Sequence, residues 1–245
     1  MNKMQTVEQI DTLHLKGFKI VQNKNFFKFG IDAVLLENFV KVRRDEQIVD
    51  FCSGNGIIPI LLCAEHNIKM ISGIEIQSEV ADLFLKSVRL NKLEEKINVI
   101  NDDIKNVRKY FLPQSVNVVT CNPPYIKAQN LDKNKNDFLS VARHEILCTL
   151  EDVMKNASYV LKPAGRFYLI HRPERLAEFF LTGKKYNLEA KRLRFVQPKE
   201  GKIPSMVLME FVKCAGQGII VEPPLIVYSD DGEYSEEVKR IYRLC

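Results

Sequence analysis

Apolar positions along the chain follow two periods in alternation. Short runs, QIVDF at 47–51, KMISGIEI at 69–76, INVIN at 97–101, VNVVT at 116–120 and RFYLI at 166–170, have the length and composition of buried strands. Between them lie stretches with helical spacing. SEVADLFLKSVRLNK has Val80, Leu83, Phe84, Val88 and Leu90 near helical spacing, with Ser78 able to cap it. IIPILLCAEH, IKNVRKYF, LEDVMKNASYVL and RPERLAEFFLTG complete the set, and Thr149-x-x-Asp152 has capping-box spacing. Strands alternating with helices predict right-handed βαβ units and a mainly parallel sheet, an α/β fold.

The rhythm changes at both ends. LEAKRLRFVQ and SMVLMEFVK are strands joined by PKEGKIP with no helix between, which predicts an antiparallel pair on one edge of the sheet. VEPPLIVYSDDGEYSEEVKRIYRLC is expected to run along the surface and end in a short helix. Before the first strand, a helix is expected from Asp32, capped by it, with Leu35, Leu36 and Phe39 buried. No repeat, low-complexity segment or linker is visible. The expectation is one domain, 45–245, with an N-terminal extension, 1–44, packed on its ligand site.

Strand ends carry the candidate chemistry. VDFCSGNGIIP sets Asp50 at the end of a strand, then Ser53, Gly54 and Gly56 in a turn before a helix. Glycines there permit a tight turn and a close ligand. Glu75 closes the next strand and can accept both hydroxyls of a ribose. The third strand ends in Asn101-Asp102-Asp103, where a carboxylate can accept from an adenine amino group. A lone glycine pair equally suits an ordinary turn. Three suitable strand ends in succession, all on the carboxyl edge, favour a nucleoside ligand. A dinucleotide fingerprint would carry a third glycine at position 59, which is Pro59.

The fourth strand ends in TCNPPY. An exocyclic amine on a planar ring, or a side-chain amide, is a poor nucleophile because its lone pair is delocalised. Two acceptors on its N–H groups favour pyramidalisation and free that pair. Asn122 Oδ1 and the Pro123 carbonyl, stiffened by Pro124, can be those acceptors, and Tyr125 offers a face for stacking.

Composition narrows the setting. The 245 residues are 46% hydrophobic and 27% charged, with net charge +5. That permits a polyanionic partner without requiring one. Six scattered cysteines include no C-x-x-C pair, and no Cys/His cluster has zinc spacing, so no metal is expected. No signal-like or membrane-length apolar run is present, and a reducing cytoplasm is the expected compartment.

D-x-C-x-G-x-G followed by an acidic strand end resembles the class I S-adenosylmethionine-dependent methyltransferases over roughly 48–211. The likeness implies a Rossmann-like, seven-stranded sheet whose last strand is antiparallel, with Glu75 on the ribose and Asp103 on the adenine. NPPY resembles the [DNS]-PP-[FYW] motif of enzymes that methylate planar amino groups. FFKFGIDAVLL, DFCSGNGIIPILL, CNPPY, ARHEI, HRPERL and EPPLIVY together resemble the bacterial tRNA adenine-N6 methyltransferases acting at nucleotide 37 of valine tRNA. That resemblance implies methyl transfer to an adenosine beside the anticodon. Phe29, Gly30 and Asp32 would then close over the methionine end of the cofactor, with Asn122 bordering it. Pro124, Tyr125, Lys127 and Arg143 would meet the base and its surroundings, and His144 lies beside them. A protein glutamine N5-methyltransferase acting on a release factor is the alternative, disfavoured by the short N-terminal segment. Lys127, Lys133, Lys135, Lys191, Arg192, Arg194, Lys199 and Lys202 are candidates for phosphate contact. For each singly, a solvated surface charge is the commoner role.

Overall fold

In the computed structural model, the described residues are 8–13, 15–23, 30–123 and 148–244. Along the chain they form β1 (Glu8–Thr12), β2 (Lys19–Asn23), α1 (Ile31–Phe39), β3 (Gln47–Phe51), α2 (Ile57–Glu65), β4 (Met70–Glu75), α3 (Ser78–Leu90) and β5 (Ile97–Asn101). A 3-10 helix (Ile104–Lys109), β6 (Val116–Cys121), α4 (Leu150–Val160), β7 (Leu161–His171) and α5 (Leu176–Lys185) follow. The chain ends with β8 (Leu188–Gln197), β9 (Met206–Lys213), β10 (Ile220–Ile226) and α6 (Glu236–Tyr242).

Among the described residues, one sheet has the order β10-β8-β9-β7-β6-β3-β4-β5. Only β9 runs against the rest; it lies between β7 and β8, antiparallel to both. This is the mostly parallel α/β sheet expected, with two corrections. It has eight strands rather than seven, and the antiparallel pair is one strand in from the edge. β10, which pairs parallel to β8, is the added strand. Its prolines, Pro223 and Pro224, fall inside a register shift between Glu222 and Leu225, where the ladder does not call on their missing N–H groups. The expected terminal helix is α6.

Both faces of the sheet are covered. Leu35 and Leu36 of α1, Ile60 and Leu62 of α2, Phe84 and Val88 of α3 and Val238 of α6 share one buried cluster. Val107 of the 3-10 helix, Val153, Met154 and Ala157 of α4 and Phe179 of α5 share the other. Most of the apolar stripes read from the sequence bury, at about 25 cal/mol per Å² removed from water. On α3, Leu83, Phe84 and Val88 do, whereas Val80 is half-buried and Leu90, at the last position of the helix, is 40% exposed. Thr149 and Asp152 form the reciprocal capping box at the start of α4. Two other caps differ from expectation. Gly30, not Asp32, is the N-cap of α1, and Gln77, not Ser78, that of α3.

Among the described residues, the N-terminal strands pair only with each other, and they lean on α3. Ser87 Oγ accepts from Val21 N at 2.9 Å, and Asn91 Oδ1 accepts from Lys19 N at 2.8 Å. Asn55, in the glycine turn, donates to the Val21 carbonyl at 3.4 Å, so the hairpin also touches the turn after β3.

Candidate active site

Register places the candidate residues side by side. Phe51 is level with Ile74 on β4 and Cys121 on β6, and Glu75 is level with Asn101 on β5. The residues that follow these ends therefore line up along the carboxyl edge in the order Asn122, turn 52–56, Glu75, Asp103. Three inter-strand steps at about 4.8 Å make the row roughly 14 Å long. That suits a nucleoside carrying an amino-acid chain.

The turn after β3 is built for close approach. Gly54 and Gly56 both have left-handed backbone, φ 56° and 86°. A Cβ on Gly54 would meet nothing within 4 Å, which leaves its surface open to a ligand. A Cβ on Gly56 would lie 1.9 Å from Phe84 Cδ2. Phe84 also presses on Gly73, where a Cβ would lie 2.3 Å from its Cε1. The ring of α3 thus fixes the turn against β4. Gly73 is a site-supporting residue that the sequence reading missed; its only signal is a glycine inside a strand.

Glu75 is buried and clasps two backbones. Oε2 accepts from Gly54 N at 2.9 Å and Oε1 from Gln77 N at 2.9 Å. A carboxylate has about four acceptor positions, so room remains for a hydroxyl. Asp103 accepts from Lys105 N at 2.9 Å and pairs with Lys105 Nζ at 3.1 Å. Asp102 is saturated by Asp103 N, Asn106, Lys109 and Tyr110. Those donors, Asn106 first, hold its carboxyl well below the usual range. Of the two neighbours, Asp103 has the freer carboxylate.

Asp50 is wholly buried. Oδ1 accepts from Thr120 Oγ1 at 2.5 Å, while Oδ2 has no hydrogen-bond partner among the described residues. Burial pushes its carboxyl up to about 7. An orphaned acid beneath the glycine turn fits a ligand that brings a cation or donor. Ser53 Oγ donates to the Asp50 carbonyl at 2.9 Å, a bond that shapes the turn.

Asn122 follows β6, half-buried, and its Nδ2 donates to Asp32 Oδ2 at 3.0 Å. Asp32 sits buried in the first turn of α1. The sequence had placed both at the site without placing them in contact. Pro123 is buried directly after Asn122. Phe29, Pro124, Tyr125, Lys127, Lys133, Lys135, Arg143 and His144 lie outside the described residues.

Neighbouring titratable groups are quiet. His171 at the end of β7 is buried, accepts from Arg172 N through Nδ1 at 2.8 Å, and is pushed down by burial to about 4, so it stays neutral at pH 7. Cys52 and Cys148 stand 4.0 Å apart beside the turn, both thiols. Contact with Cys121, ahead of burial, raises Cys52, and contact with Cys52 raises Cys148, so neither is an activated thiolate.

A family model described as the TRM5/TYW2 methyltransferase domain matches residues 33–143. A solved structure of a predicted O-methyltransferase from Agrobacterium tumefaciens superposes with a TM-score of 0.70 at 20% identity, covering 86% of this chain and 95% of that one. Geranyl diphosphate C-methyltransferase from Streptomyces coelicolor, solved with S-adenosyl-L-homocysteine, superposes with a TM-score of 0.54 at 12% identity over 74% of each chain.

The fold is that of a class I methyltransferase. Within this methyltransferase fold, the likeness in sequence runs nearly end to end with one group. A relative from Phocaeicola vulgatus named tRNA1(Val) (adenine(37)-N6)-methyltransferase is 25% identical over 93% of this chain and 95% of its own length. One of the same name from Porphyromonas gingivalis is 27% identical over 94% of this chain and 93% of its own. The resemblance read from the motifs is borne out by these relatives. Among the described residues, no helix is long and apolar enough to cross a membrane, and no group of His, Cys, Asp or Glu is placed to hold a metal.

Proposed function

We infer that this protein transfers a methyl group from S-adenosylmethionine to the exocyclic amine of an adenosine in tRNA. The observation that carries the reading is the row along the carboxyl edge, with Asn122 and Pro123 at one end and the Glu75 clasp in the middle. The full-length likeness to the named tRNA methyltransferases supports it. When bound, the cofactor supplies an electrophilic methyl on a sulfonium, whose C–S electron pair leaves to sulfur as the amine nitrogen bonds the carbon.

The chain's own part is to bind and orient. Asp103 meets the adenine edge of the cofactor, Glu75 its ribose, and Asp50 with Ser53, Gly54 and Gly56 its amino-acid end. Gly30 and Asp32 approach from α1, with Phe29 beside them in sequence. Asn122 Oδ1 and the Pro123 carbonyl accept the two N–H bonds of the target amine, and Tyr125 stacks on the base. No base on the protein is needed, because the methylated nitrogen becomes acidic and gives its extra proton to water.

The target is an unpaired adenosine in the anticodon loop, at nucleotide 37. A loop base leaves its stack at low cost and can enter a pocket on the carboxyl edge. The connection 198–205 between β8 and β9 stands on that same edge. Ser205 O accepts from Arg172 Nη1 at 3.4 Å, which ties this connection to the exposed residue that follows β7. Arg172, Lys199 and Lys202 offer cations there, around Ile203, which is 87% exposed.

Two experiments test this. Labelled methyl groups should enter tRNA from a strain lacking the gene and appear as N6-methyladenosine. Asn122→Ala should lower kcat by roughly 10²- to 10³-fold while calorimetry still finds the cofactor bound. Label in a release factor and none in RNA would replace adenosine with a glutamine amide. Replacing Arg172, Lys199 and Lys202 together with Ala should raise the KM for tRNA. It should also flatten the slope of log K against log salt by about 0.7 per lost phosphate contact. An unchanged slope would move the RNA to another face.

A further inference from the structure

We propose that Asp32 is a positioning residue for Asn122, holding the amide so that its oxygen, and not its nitrogen, faces the target amine. This deepens the proposed methyl transfer and rests on it.

An asparagine side chain has two ends of similar size and opposite hydrogen-bonding sense. To receive an N–H from the substrate it must present Oδ1. Turned by 180°, it would aim its own NH₂ at the substrate NH₂, donor against donor. The half-buried Asn122 therefore needs something to choose the rotamer. A carboxylate can make that choice, because when ionised it only accepts. The end of the amide facing Asp32 must be the NH₂, and the structure has Asn122 Nδ2 donating to Asp32 Oδ2 at 3.0 Å. The bond is charge-assisted, roughly twice as strong as a neutral one.

The ordinary reading of Asp32 is an acid in the first turn of a helix, favourable there through the helix dipole. Two further observations go beyond that role. The partner is 90 residues away, on another element, at the end of the strand that carries the motif. And Gly30 makes way for the carboxylate: a Cβ at position 30 would lie 2.6 Å from Asp32 Oδ1. Gly30 has φ −101°, so its backbone does not demand glycine; the space does. Gly30, Asp32 and Asn122 then form one device. It spans the start of α1 and the end of β6, and it explains two of the site residues read from the sequence.

The experiment is a charge exchange read by steady-state kinetics on tRNA. Asp32→Asn keeps the size and removes the obligatory acceptor. Its kcat should fall roughly 10- to 100-fold, with the tRNA KM within about threefold of the parent. Asn122→Asp alone brings two carboxylates together and should fall at least as far. The double variant, Asp32→Asn with Asn122→Asp, again sets one donor against one carboxylate and leaves an acceptor for the amine. Its kcat should exceed that of either single variant by about tenfold or more. A helix-stabilising role alone would give no such recovery. A loss confined to cofactor affinity, or a double variant no more active than the better of the two singles, overturns the proposal. The Asn122 side-chain amide in ¹⁵N-labelled protein gives a second readout independent of turnover. Its protons should exchange slowly in the parent and faster in Asp32→Asn. If the parent transfers no methyl group to tRNA, the functional reading falls. Equal exchange in parent and variant would then sink the Asp32 bond as well.

Discussion

Glu37 shows what a single buried charge does to this fold. It lies on α1 with only 1% of its surface exposed, and its Oε2 has no hydrogen-bond partner among the described residues. Burial raises its carboxyl from 4.5 to about 7, with Arg243 pulling the other way. A raised folded value means that the native state binds the proton more tightly than the unfolded chain. Its stabilisation is therefore complete below about pH 4.5 and is lost as pH rises through about 7. Glu37→Gln should be more stable than the parent at pH 8, by up to roughly 3 kcal/mol, and the gap should close toward pH 5. Thermal melts of both proteins across that range check it, and a pH-independent difference would refute the burial account. The sequence could not have shown this. Glu37 sits one helical turn from apolar neighbours in a pattern that also fits a solvated face. Asn122 stood out at the same scale as a candidate because its motif has a chemical reason. Its contact with Asp32 was not, since no spacing rule joins positions 90 apart.

Elements were legible where a period was long and turn chemistry marked its ends. The alternation from 47 to 185 gave strands and helices that the structure contains, and the capping box at Thr149 is present with both of its bonds. β10 was hidden because two prolines argue against a strand, and only the register shift in the ladder excuses them. The glycine turn was read as a ligand cradle, but its two glycines answer to different constraints. Gly54 needs only a left-handed backbone; Gly56 needs that and the space filled by Phe84. Gly54→Ala should then cost about 1 kcal/mol from backbone strain alone. Gly56→Ala adds overpacking against a fully buried ring and should cost roughly 2–4 kcal/mol. It should also weaken cofactor binding, since the turn must move. Denaturant midpoints for the two variants test the order, and equal losses would show that Phe84 is free to yield.

Across the whole molecule, Arg192 shows why a charge on a strand cannot be assigned to a partner from sequence. It was a candidate for phosphate contact. In the structure it is 9% exposed and fully engaged. Nε donates to Glu210 of β9 at 2.7 Å, Nη1 to Glu222 of β10 at 3.1 Å and Nη2 to the Phe39 carbonyl of α1 at 2.6 Å. Its guanidinium lies 3.6 Å from the centroid of the Phe39 ring. The register shift between Ala190 and Arg192 is the physical reason. A bulge resets the alternation of faces, so counting by twos from the strand start gives the wrong side. Arg194 is likewise occupied, by Glu237 of α6 at 2.7 and 2.8 Å. These bonds join the added strand, the antiparallel insert and the helix that carries Asp32. Removing one partner of a buried ion cluster strands the others, so Arg192→Ala should lose about 3–5 kcal/mol. Arg192→Met, which keeps the stem over Phe39 but still strands Glu210, should lose less. Where either variant stays folded, its tRNA affinity and salt slope should match the parent, because the guanidinium faces carboxylates and a carbonyl instead of solvent. A flattened salt slope in Arg192→Met would return this residue to the RNA surface. It would also mean that the edge formed by β8 and β10 opens when tRNA binds.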